Sequence, residues 1–588
     1  MDTKEGLQNL GAAFVTGFFA FATFWEARLL VQEEDAPLTL RASAVLLGLS
    51  TFLALRLLLL RLVHKRESHA YGSAGFALTE SMADLFVASP AALKPGSVLL
   101  GSLNSNLLAL SPLLARQHGV IVGGSGTGKS WSFFLPNAAY CRGISTVVTD
   151  PKSEIWQYTS GFHDSVRFAP TDPDRSACFN WIPLCRDARM AELCARAIVE
   201  AGATEKQEPP WPDLEAAFLS SLFSHASTLA TPTPLSAYEL FTRQEPAALM
   251  ESFLSSASPV AREQAIIFQQ THERMRGSIV PVVAAKLQFL RDPVVSRFTS
   301  AELTPPDFGK LRCTPQSVYW CVREQDIARL RPLSALFFTL LLEQLAATPM
   351  ENGVNAIPVH MLLDEFANLG VIPNFDTTIS LARGRGVSLW LGIQSLSQIE
   401  ARYGRANAQT ILTNCATKIA LSGLDVETAE YFSRSLGQAT EQTPRRSWQR
   451  KRFSLFASGV TDTVQDHARP LLTSDEVRRI GGGEALAIIG NRRPILLEKT
   501  KYKLAAKAAK TKRLGPALSA PCAATAAAAV PSKSKKAAQK LKEDLPPPLP
   551  EELTAALPVK QAGQRFSKTQ KGSHRQTTWL PKPAAETK

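Results

Sequence analysis

Six short apolar runs along the chain have the length and composition of buried parallel strands. Longer polar or helix-periodic segments separate them, an alternation typical of α/β proteins with a largely parallel sheet. The runs occupy residues 119–122, 145–149, 360–363, 387–393, 418–422 and 485–489. The pattern therefore predicts an α/β fold over roughly residues 72–502.

The pattern changes between the second and third of these runs. Residues 186–292 contain no comparable run, and segments such as 213–225 and 261–273 repeat their apolar positions at helical spacing. We therefore predict an all-helical domain at 186–292. It would be inserted into one α/β domain formed by residues 67–185 and 293–502.

The first 66 residues contain two longer apolar stretches. Residues 7–25 carry no charge and residues 42–60 carry only Arg56, and about 19 residues is near the lower limit for crossing a bilayer. Acidic side chains dominate the loop between them, and basic side chains follow the second stretch, so the positive-inside rule places the bulk of the chain in the cytoplasm. A signal peptide is the alternative for the first stretch, although the segment before it is not basic. We predict a two-pass membrane anchor at 1–66.

Charge is distributed unevenly along the chain. Residues 501–588 hold 18 basic and 5 acidic side chains, so this segment alone carries the net charge of +13 that the whole chain has. Its Ala-, Lys- and Pro-rich composition predicts a disordered basic tail at 503–588. The tail would bind DNA or anionic membrane lipid electrostatically, or serve only as a solvated or partner-binding segment. The neutral remainder gives no argument for DNA binding.

The eight cysteines are scattered along the chain. No CxxC pair and no cluster of cysteine with histidine occurs in the sequence. This argues against a disulfide framework or a zinc site and fits a reducing cytoplasm.

A glycine-rich segment after the first apolar run matches the phosphate-loop pattern GxxxxGK[ST]. Its backbone N–H groups can close around phosphate oxygens, and the following helix adds its positive dipole. We expect Lys129 to contact the β- and γ-phosphates of ATP, and the Ser130 hydroxyl to bind Mg²⁺. The predicted nucleotide-binding residues are Gly123, Gly124, Ser125, Gly126, Thr127, Gly128, Lys129, Ser130 and Asp364.

An acidic pair, Asp364 and Glu365, ends the apolar run at 360–363. P-loop enzymes need a carboxylate at the end of a neighbouring strand to hold Mg²⁺, which is the role expected for Asp364. Glu365 is placed to orient and deprotonate the attacking water, so the pair indicates ATP hydrolysis. Such a pair can also be a solvated strand end, but the phosphate loop upstream favours the catalytic interpretation.

Two further polar positions fit a P-loop ATPase with an additional strand. The run 387–393 ends in Gln394, which we expect to sense the terminal phosphate from between the phosphate loop and the acidic strand. Upstream lie Arg383 and Arg385, each a candidate arginine finger for a neighbouring subunit's nucleotide or part of a solvated basic loop. A finger that acts in trans requires at least a dimer.

Together these motifs resemble those of TraG/TraD-type conjugative coupling proteins, the coupling ATPases of type IV secretion systems. The resemblance covers about residues 72–502 and is most specific at 362–370 (LLDEFANLG), 383–386 (RGRG) and 394–398 (QSLSQ). At 180–184 the chain has Asn-Trp-Ile-Pro-Leu, where the family more often has Asn-Pro-Leu. The resemblance implies a RecA-like motor domain, an inserted all-alpha domain, two N-terminal membrane helices, and a hexamer with a central channel.

The same resemblance implies a function at the bacterial inner membrane. It implies an ATPase that uses ATP and Mg²⁺ to deliver relaxase-bound single-stranded DNA to the secretion-channel proteins. The alternatives are a coupling ATPase for protein effectors, a nucleotide-binding membrane scaffold without useful turnover, and a chromosome-segregation DNA pump. The resemblance favours Arg383 over Arg385 as the finger and makes Gln394 the nucleotide-sensing residue. It assigns no firm role to Asp150, which follows a second strand.

Overall fold

The computed structural model describes Trp25 and residues 70–500, apart from 163, 202–210, 272, 348–355 and 449–459. Both predicted membrane helices and the predicted disordered tail lie outside the described residues, except for Trp25. The architecture below is that of the α/β part and its helical insertion.

A large sheet forms the centre of the described part. The strands, in chain order, are β1 (Phe86–Val87), β2 (Val98–Leu103), β3 (Asn106–Leu110), β4 (Gly119–Val122), β5 (Ser145–Thr149), β6 (Ser165–Phe168), β7 (Ser317–Trp320), β8 (Val359–Leu363), β9 (Val387–Ile393), β10 (Thr417–Ala420), β11 (Gln438–Trp448), β12 (Val460–Pro470), β13 (Glu484–Ile489) and β14 (Ile495–Glu498). Twelve of them form one sheet in the order β1-β3-β2-β14-β13-β10-β4-β9-β8-β5-β7-β6, and β11 pairs with β12 in a separate hairpin.

Seven neighbouring strands of the large sheet, from β10 to β6, are parallel. The other five extend it with antiparallel pairings. All six predicted strands are present, and the α/β fold class is confirmed. The expected direction of 485–489 was wrong, because β13 runs antiparallel to β10. An apolar run shows that a strand is buried, but not which way it runs.

Helices cover the sheet and fill the long connection between β6 and β7. The α-helices are α1 (Pro112–Ala115), α2 (Leu135–Tyr140), α3 (Glu154–Thr159), α4 (Ala188–Glu200), α5 (Trp211–Ala226), α6 (Pro234–Arg243), α7 (Pro246–Leu254), α8 (Pro259–Gln270), α9 (Glu273–Lys286), α10 (Pro293–Ser300), α11 (Ile327–Ala347), α12 (Phe375–Ala382), α13 (Leu396–Asn414), α14 (Val426–Leu436) and α15 (Ser474–Arg478). The described residues between β6 and β7 contain α4 to α10 and no strand. The helical stretch therefore includes α10, which begins just beyond 292.

An aromatic cluster joins the helical block to the sheet. Trp320 at the end of β7 stacks on Phe337 of α11, with ring centroids 4.2 Å apart, and Phe179 contacts both rings. Among the described residues, Glu324–Ala347 is the one helical stretch long and apolar enough to cross a bilayer, and 67% of its most apolar window is buried inside the protein. Within the described part, α11 thus serves as a core helix on which the sheet and the helical block meet.

A buried histidine, His118, lies directly before β4 and is hydrogen-bonded to β9 and to α12. The Nδ1 atom of His118 accepts the Leu389 N–H at 3.0 Å, and its Nε2 lies 2.9 Å from the Ile379 carbonyl. These bonds require a neutral ring, because Nδ1 must keep its lone pair while Nε2–H donates. Burial, with the nearby charge of Arg383, lowers the pKa of His118 to about 4.

The contribution of His118 to the stability of the fold should therefore decrease as the pH falls from 6.5 to 4. In the unfolded chain an imidazole takes up its proton near pH 6.5, whereas folded His118 does so near pH 4. Between these values the unfolded state binds more protons, so acid favours unfolding, by up to about 3 kcal/mol for this one group. Urea unfolding of the purified full chain, followed by tryptophan fluorescence at pH 5 and pH 7, measures the difference. A His118→Gln chain should show a smaller pH dependence and His467→Gln, at an exposed site, an unchanged one. An equal pH dependence in all three chains would contradict this account.

Candidate nucleotide-binding and hydrolysis site

The predicted site residues follow the carboxyl ends of neighbouring parallel strands. The phosphate loop follows β4, Gln394 follows β9, Asp364 and Glu365 follow β8, and Asp150 follows β5. Because β9 pairs with both β4 and β8, it is an additional strand between the loop and the acidic pair, as predicted. A cavity of about 720 Å³ lies at this edge, lined by the loop and by all four of these side chains.

The phosphate loop has a backbone that only glycine adopts readily. Gly126 and Gly128 have φ angles of +75° and +87°, in the left-handed region. A Cβ atom at either position would meet nothing within 4 Å, so conformation, rather than lack of space, calls for glycine. The loop leads into a π-helical turn, Ser130–Phe134, which continues as α2. The loop and the first residues of this turn line the cavity.

The ammonium group of Lys129 is held inside the loop. Its Nζ donates to the Gly123 carbonyl at 2.7 Å and to the Gly124 carbonyl at 3.3 Å, and lies 3.8 Å from Glu365 Oε1. The side chain is only 6% exposed. A positive charge is thus fixed between the loop and the acidic pair, where a phosphate would lie.

Ser130 and Asp364 both line the cavity and are hydrogen-bonded to each other. The Ser130 hydroxyl donates to Asp364 Oδ2, Asp364 Oδ1 accepts the Glu365 N–H at 3.1 Å, and Thr149 donates to the Asp364 carbonyl at 2.7 Å. Burial raises the pKa of Asp364 to about 6. A hydroxyl and a buried carboxylate are hard oxygen ligands of the kind Mg²⁺ uses, so the pair fits a magnesium site.

Gln394 contacts the carboxylate of Glu365. Its Nε2 lies 3.2 Å from Oε1 and 3.1 Å from Oε2, and its own backbone N–H donates to Gln398 Oε1 at 3.1 Å. Glu365 has a φ of +53°, which is strained for a residue with a side chain. The left-handed backbone thus directs Glu365 into the cavity. The Gln394 amide then orients its carboxylate.

Asp150 has a structural contact that the sequence did not indicate. Its Oδ2 accepts the Trp156 N–H at 2.7 Å, so the carboxylate binds a backbone N–H in the first turn of α3. Burial raises its pKa to about 6. Asp150 lines the cavity while capping the helix that forms part of the cavity wall.

The two candidate finger arginines are not at this cavity. Arg383 and Arg385 form a single 3₁₀ turn before β9, at the amino ends of the parallel strands. The seven residues of β9 separate that edge from the phosphate loop by about 20 Å at ~3.3 Å per residue. Neither arginine lines the cavity. Arg383 is exposed, whereas the backbone at Arg385 is held by the buried guanidinium of Arg312.

Several cavity-lining residues were absent from the sequence predictions. They belong to the segments after β5, β7 and β8 and to the start of the phosphate-loop helix. They include Trp131, Lys152, Glu154, Glu324, Arg331 and Asn368. Asn368 lies within the segment LLDEFANLG, but the motifs do not show that these side chains line the cavity, because the order of strands in the sheet brings them there.

A family model described as Type IV secretory system Conjugative DNA transfer matches residues 81–538. The chain belongs to this family. The match confirms the resemblance to TraG/TraD-type coupling proteins that the motifs indicated.

Relatives within the conjugative DNA transfer family are distant. The chain is 27% identical to a conjugal transfer protein TraG of Escherichia coli over 372 residues, which is 58% of this chain and 58% of the relative. It is 25% identical to a protein VirD4 of Agrobacterium fabrum over 411 residues, 66% of this chain and 59% of the relative. The chain thus spans about three fifths of the length of these curated relatives.

Solved structures of one coupling protein share the fold. The bacterial conjugative coupling protein TrwBdeltaN70 aligns with a TM-score of 0.57 at 18% identity, covering 74% of this chain and 96% of that one. A TrwB structure in complex with ADP and Mg²⁺ aligns with a TM-score of 0.56 at 16% identity, covering 73% of this chain and 95% of that one. The RecA-like fold predicted for the α/β part is therefore confirmed.

Proposed function

We propose that this chain is the coupling ATPase of a type IV secretion system. It hydrolyses ATP at the bacterial inner membrane and delivers relaxase-bound single-stranded DNA to the secretion-channel proteins. The observation that carries the proposal is the meeting of Lys129, Ser130, Asp364, Glu365 and Gln394 in one cavity, within a chain of the conjugative DNA transfer family.

The nucleotide part of the proposal rests on the fit between the loop and a phosphate chain. Gly123 to Ser130 supply backbone N–H groups and the Lys129 ammonium, while Ser130 and Asp364 would hold Mg²⁺. When bound, Mg²⁺ neutralises charge that develops on the phosphate oxygens. The TrwB structure in complex with ADP and Mg²⁺ supports the same cofactors here.

Hydrolysis requires a base beside the terminal phosphate, and Glu365 is the group placed for it. Its carboxylate takes the proton of the attacking water, while the water oxygen bonds to phosphorus and the bond to the ADP oxygen breaks. Gln394 holds the carboxylate through its amide at 3.1 and 3.2 Å. Lys129, 3.8 Å from the same carboxylate, stabilises negative charge on the phosphates.

The proposal extends to the parts of the chain whose roles rest on the sequence alone. Residues 1–66 anchor the chain with two membrane helices, and the α/β domain at 67–185 and 293–502 is the motor. The helical domain at 186–292 contacts cargo, and the basic tail at 503–588 binds DNA or membrane lipid. The working assembly is a hexamer around a central channel.

Capture of cargo from cells tests this function. Chains carrying Glu365→Gln should hold their cargo without releasing it, so a pull-down from such cells should recover relaxase-bound single-stranded DNA. Recovery of secreted proteins without DNA would instead identify an effector-coupling ATPase. Conjugal transfer that proceeds normally in cells whose only copy is Glu365→Gln would show that ATP hydrolysis by this chain is not needed.

Replacing Arg383 with Ala should lower kcat of the assembled protein about 10- to 100-fold, because charge-assisted hydrogen bonds to the neighbour's γ-phosphate are lost. Each subunit should still bind ATP, since Arg383 lies about 20 Å from its own loop. Steady-state hydrolysis and ATP binding measure the two effects separately. Arg434→Ala, at a side chain 79% exposed and near Glu430, is the matched control.

Mixed assemblies decide whether the arginine acts in trans. Subunits with Lys129→Ala keep Arg383, and subunits with Arg383→Ala keep the phosphate loop, so mixing the two should restore part of the activity. If Arg385→Ala abolishes turnover and Arg383→Ala does not, the finger is Arg385. Full activity in both variants would end the assignment of a finger to this turn.

A further inference from the structure

Arg331 enters the nucleotide cavity from the wall that faces the phosphate loop. It lies near the start of α11, on the same helical face as Ile327 and Ala328, and all three line the cavity. Helix α11 follows β7, and β7 and β4 lie on opposite sides of the β9–β8 pair. Arg331 therefore approaches the acidic pair from the side opposite Lys129.

The guanidinium of Arg331 has no partner among the described residues. Its Nε is buried without a hydrogen bond, and the ion pairs of the described part do not include it. Burial, followed by the nearby charge of Arg402, lowers its pKa. Arginine nevertheless stays charged, and a half-buried cation without a partner is unfavourable. An anion bound in the cavity would supply the partner that Arg331 lacks.

Two other cations near this wall already have acidic partners. Lys152 lies 3.6 Å from Glu324 at the cavity rim. Arg329, two residues before Arg331, lies 2.9 Å from both Asp292 and Asp326. A general shortage of acidic residues around α11 therefore does not explain why Arg331 lacks a partner.

The stem of Arg331 packs under the turn that carries Glu365. A Cβ atom on Gly370 would lie 2.6 Å from Arg331 Cγ and 3.1 Å from the Ala201 carbonyl. Gly370 ends the 3₁₀ turn Phe366–Leu369 that follows Glu365, and its φ is +91°. The side chain is therefore fixed between the catalytic turn and the end of α4 in the helical block.

We propose that Arg331 is a contact in cis to the terminal phosphoryl group, either while it is still on ATP or as the inorganic phosphate released from it. The proposal rests on the proposed function. Lys129 lies on one side of that group and Arg331 on the other, and Arg331 transfers no proton. Its place in the same subunit's cavity distinguishes it from Arg383, which lies at the opposite edge of the sheet.

Binding measurements with Arg331→Ala test the proposal without relying on turnover. In the full chain carrying Glu365→Gln, the added change should weaken ATP about tenfold or more and ADP less than about twofold, if the contact is to nucleotide-bound phosphate. If the contact is to released phosphate, ATP binding stays unchanged, and inorganic phosphate binding in the presence of ADP and Mg²⁺ weakens about tenfold. Arg331→Lys should recover part of the affinity that is lost.

Arg329→Ala is the matched control and should change none of these affinities. Retained ADP binding shows that the Arg331→Ala chain is folded. Equal weakening of ATP and ADP, or no change in ATP, ADP or phosphate binding, would overturn the assignment. Absence of hydrolysis in the unchanged chain would instead refute the proposed function, while the ratio of ATP to ADP affinity would still report on Arg331.

Discussion

Replacing Glu365 with Gln should leave ATP binding within about threefold of its original strength and lower kcat about 100- to 10,000-fold. Glutamine keeps the size of the side chain, so the phosphate loop and the Ser130–Asp364 contact remain in place. Its amide cannot accept the proton of the attacking water. One of the two contacts from Gln394 also loses its acceptor, so the side chain is less well oriented.

Single-turnover hydrolysis and equilibrium ATP binding on the full chain measure these two effects. Glu324→Gln is the matched control, because Glu324 lines the same cavity but is 66% exposed and paired with Lys152. It should change kcat less than about twofold, since an exposed ion pair contributes little. If Glu365→Gln hydrolysed ATP at the original rate, another group would have to be the base.

Lys129→Ala should weaken ATP binding at least about 100-fold and reduce hydrolysis to background. The ammonium is the cation enclosed by the loop, 6% exposed, and its charge is little screened there. Truncation also leaves the Gly123 carbonyl without the donor it has now. Binding of a fluorescent ATP analogue and release of phosphate measure the two losses.

Lys152→Ala provides the comparison for Lys129. Lys152 also lines the cavity, but its side chain is 63% exposed, so its removal should change ATP affinity less than about threefold. The Lys129→Ala chain should keep its thermal unfolding temperature within a few degrees, which separates loss of binding from loss of fold. ATP affinity unchanged by Lys129→Ala would contradict the assignment of Gly123 to Ser130 as the phosphate loop.

Local patterns were enough to predict the centre of the site. The phosphate loop and the pair Asp364–Glu365 each follow an apolar run directly. The identity of these site residues and their position at a strand end could therefore both be predicted from the sequence. Gln394 follows a third run in the same way. Because carboxyl ends of parallel strands share one edge of the sheet, these separate segments had to meet there.

Eight of the fourteen described strands escaped prediction, among them the largely apolar β2, β3 and β14 and several strands without an apolar run. β6 and β7 have four residues each, and their Ser, Arg and Tyr residues break the apolar pattern. The hairpin β11–β12 (Gln438–Trp448 with Val460–Pro470) is polar along much of its length and is held by backbone pairing. Without β7 the direction of α11 could not be inferred, and Arg331 could not be placed at the cavity.

The left-handed backbone at Glu365 has a consequence for how this site persists over generations. A residue with a side chain at φ +53° costs about 1 kcal/mol relative to glycine. Stability alone would therefore favour glycine at this position, in a chain that folds well and hydrolyses nothing. Selection for yield or heat resistance would favour replacement of Glu365 by glycine, so only selection for ATP turnover keeps the glutamate in the sequence.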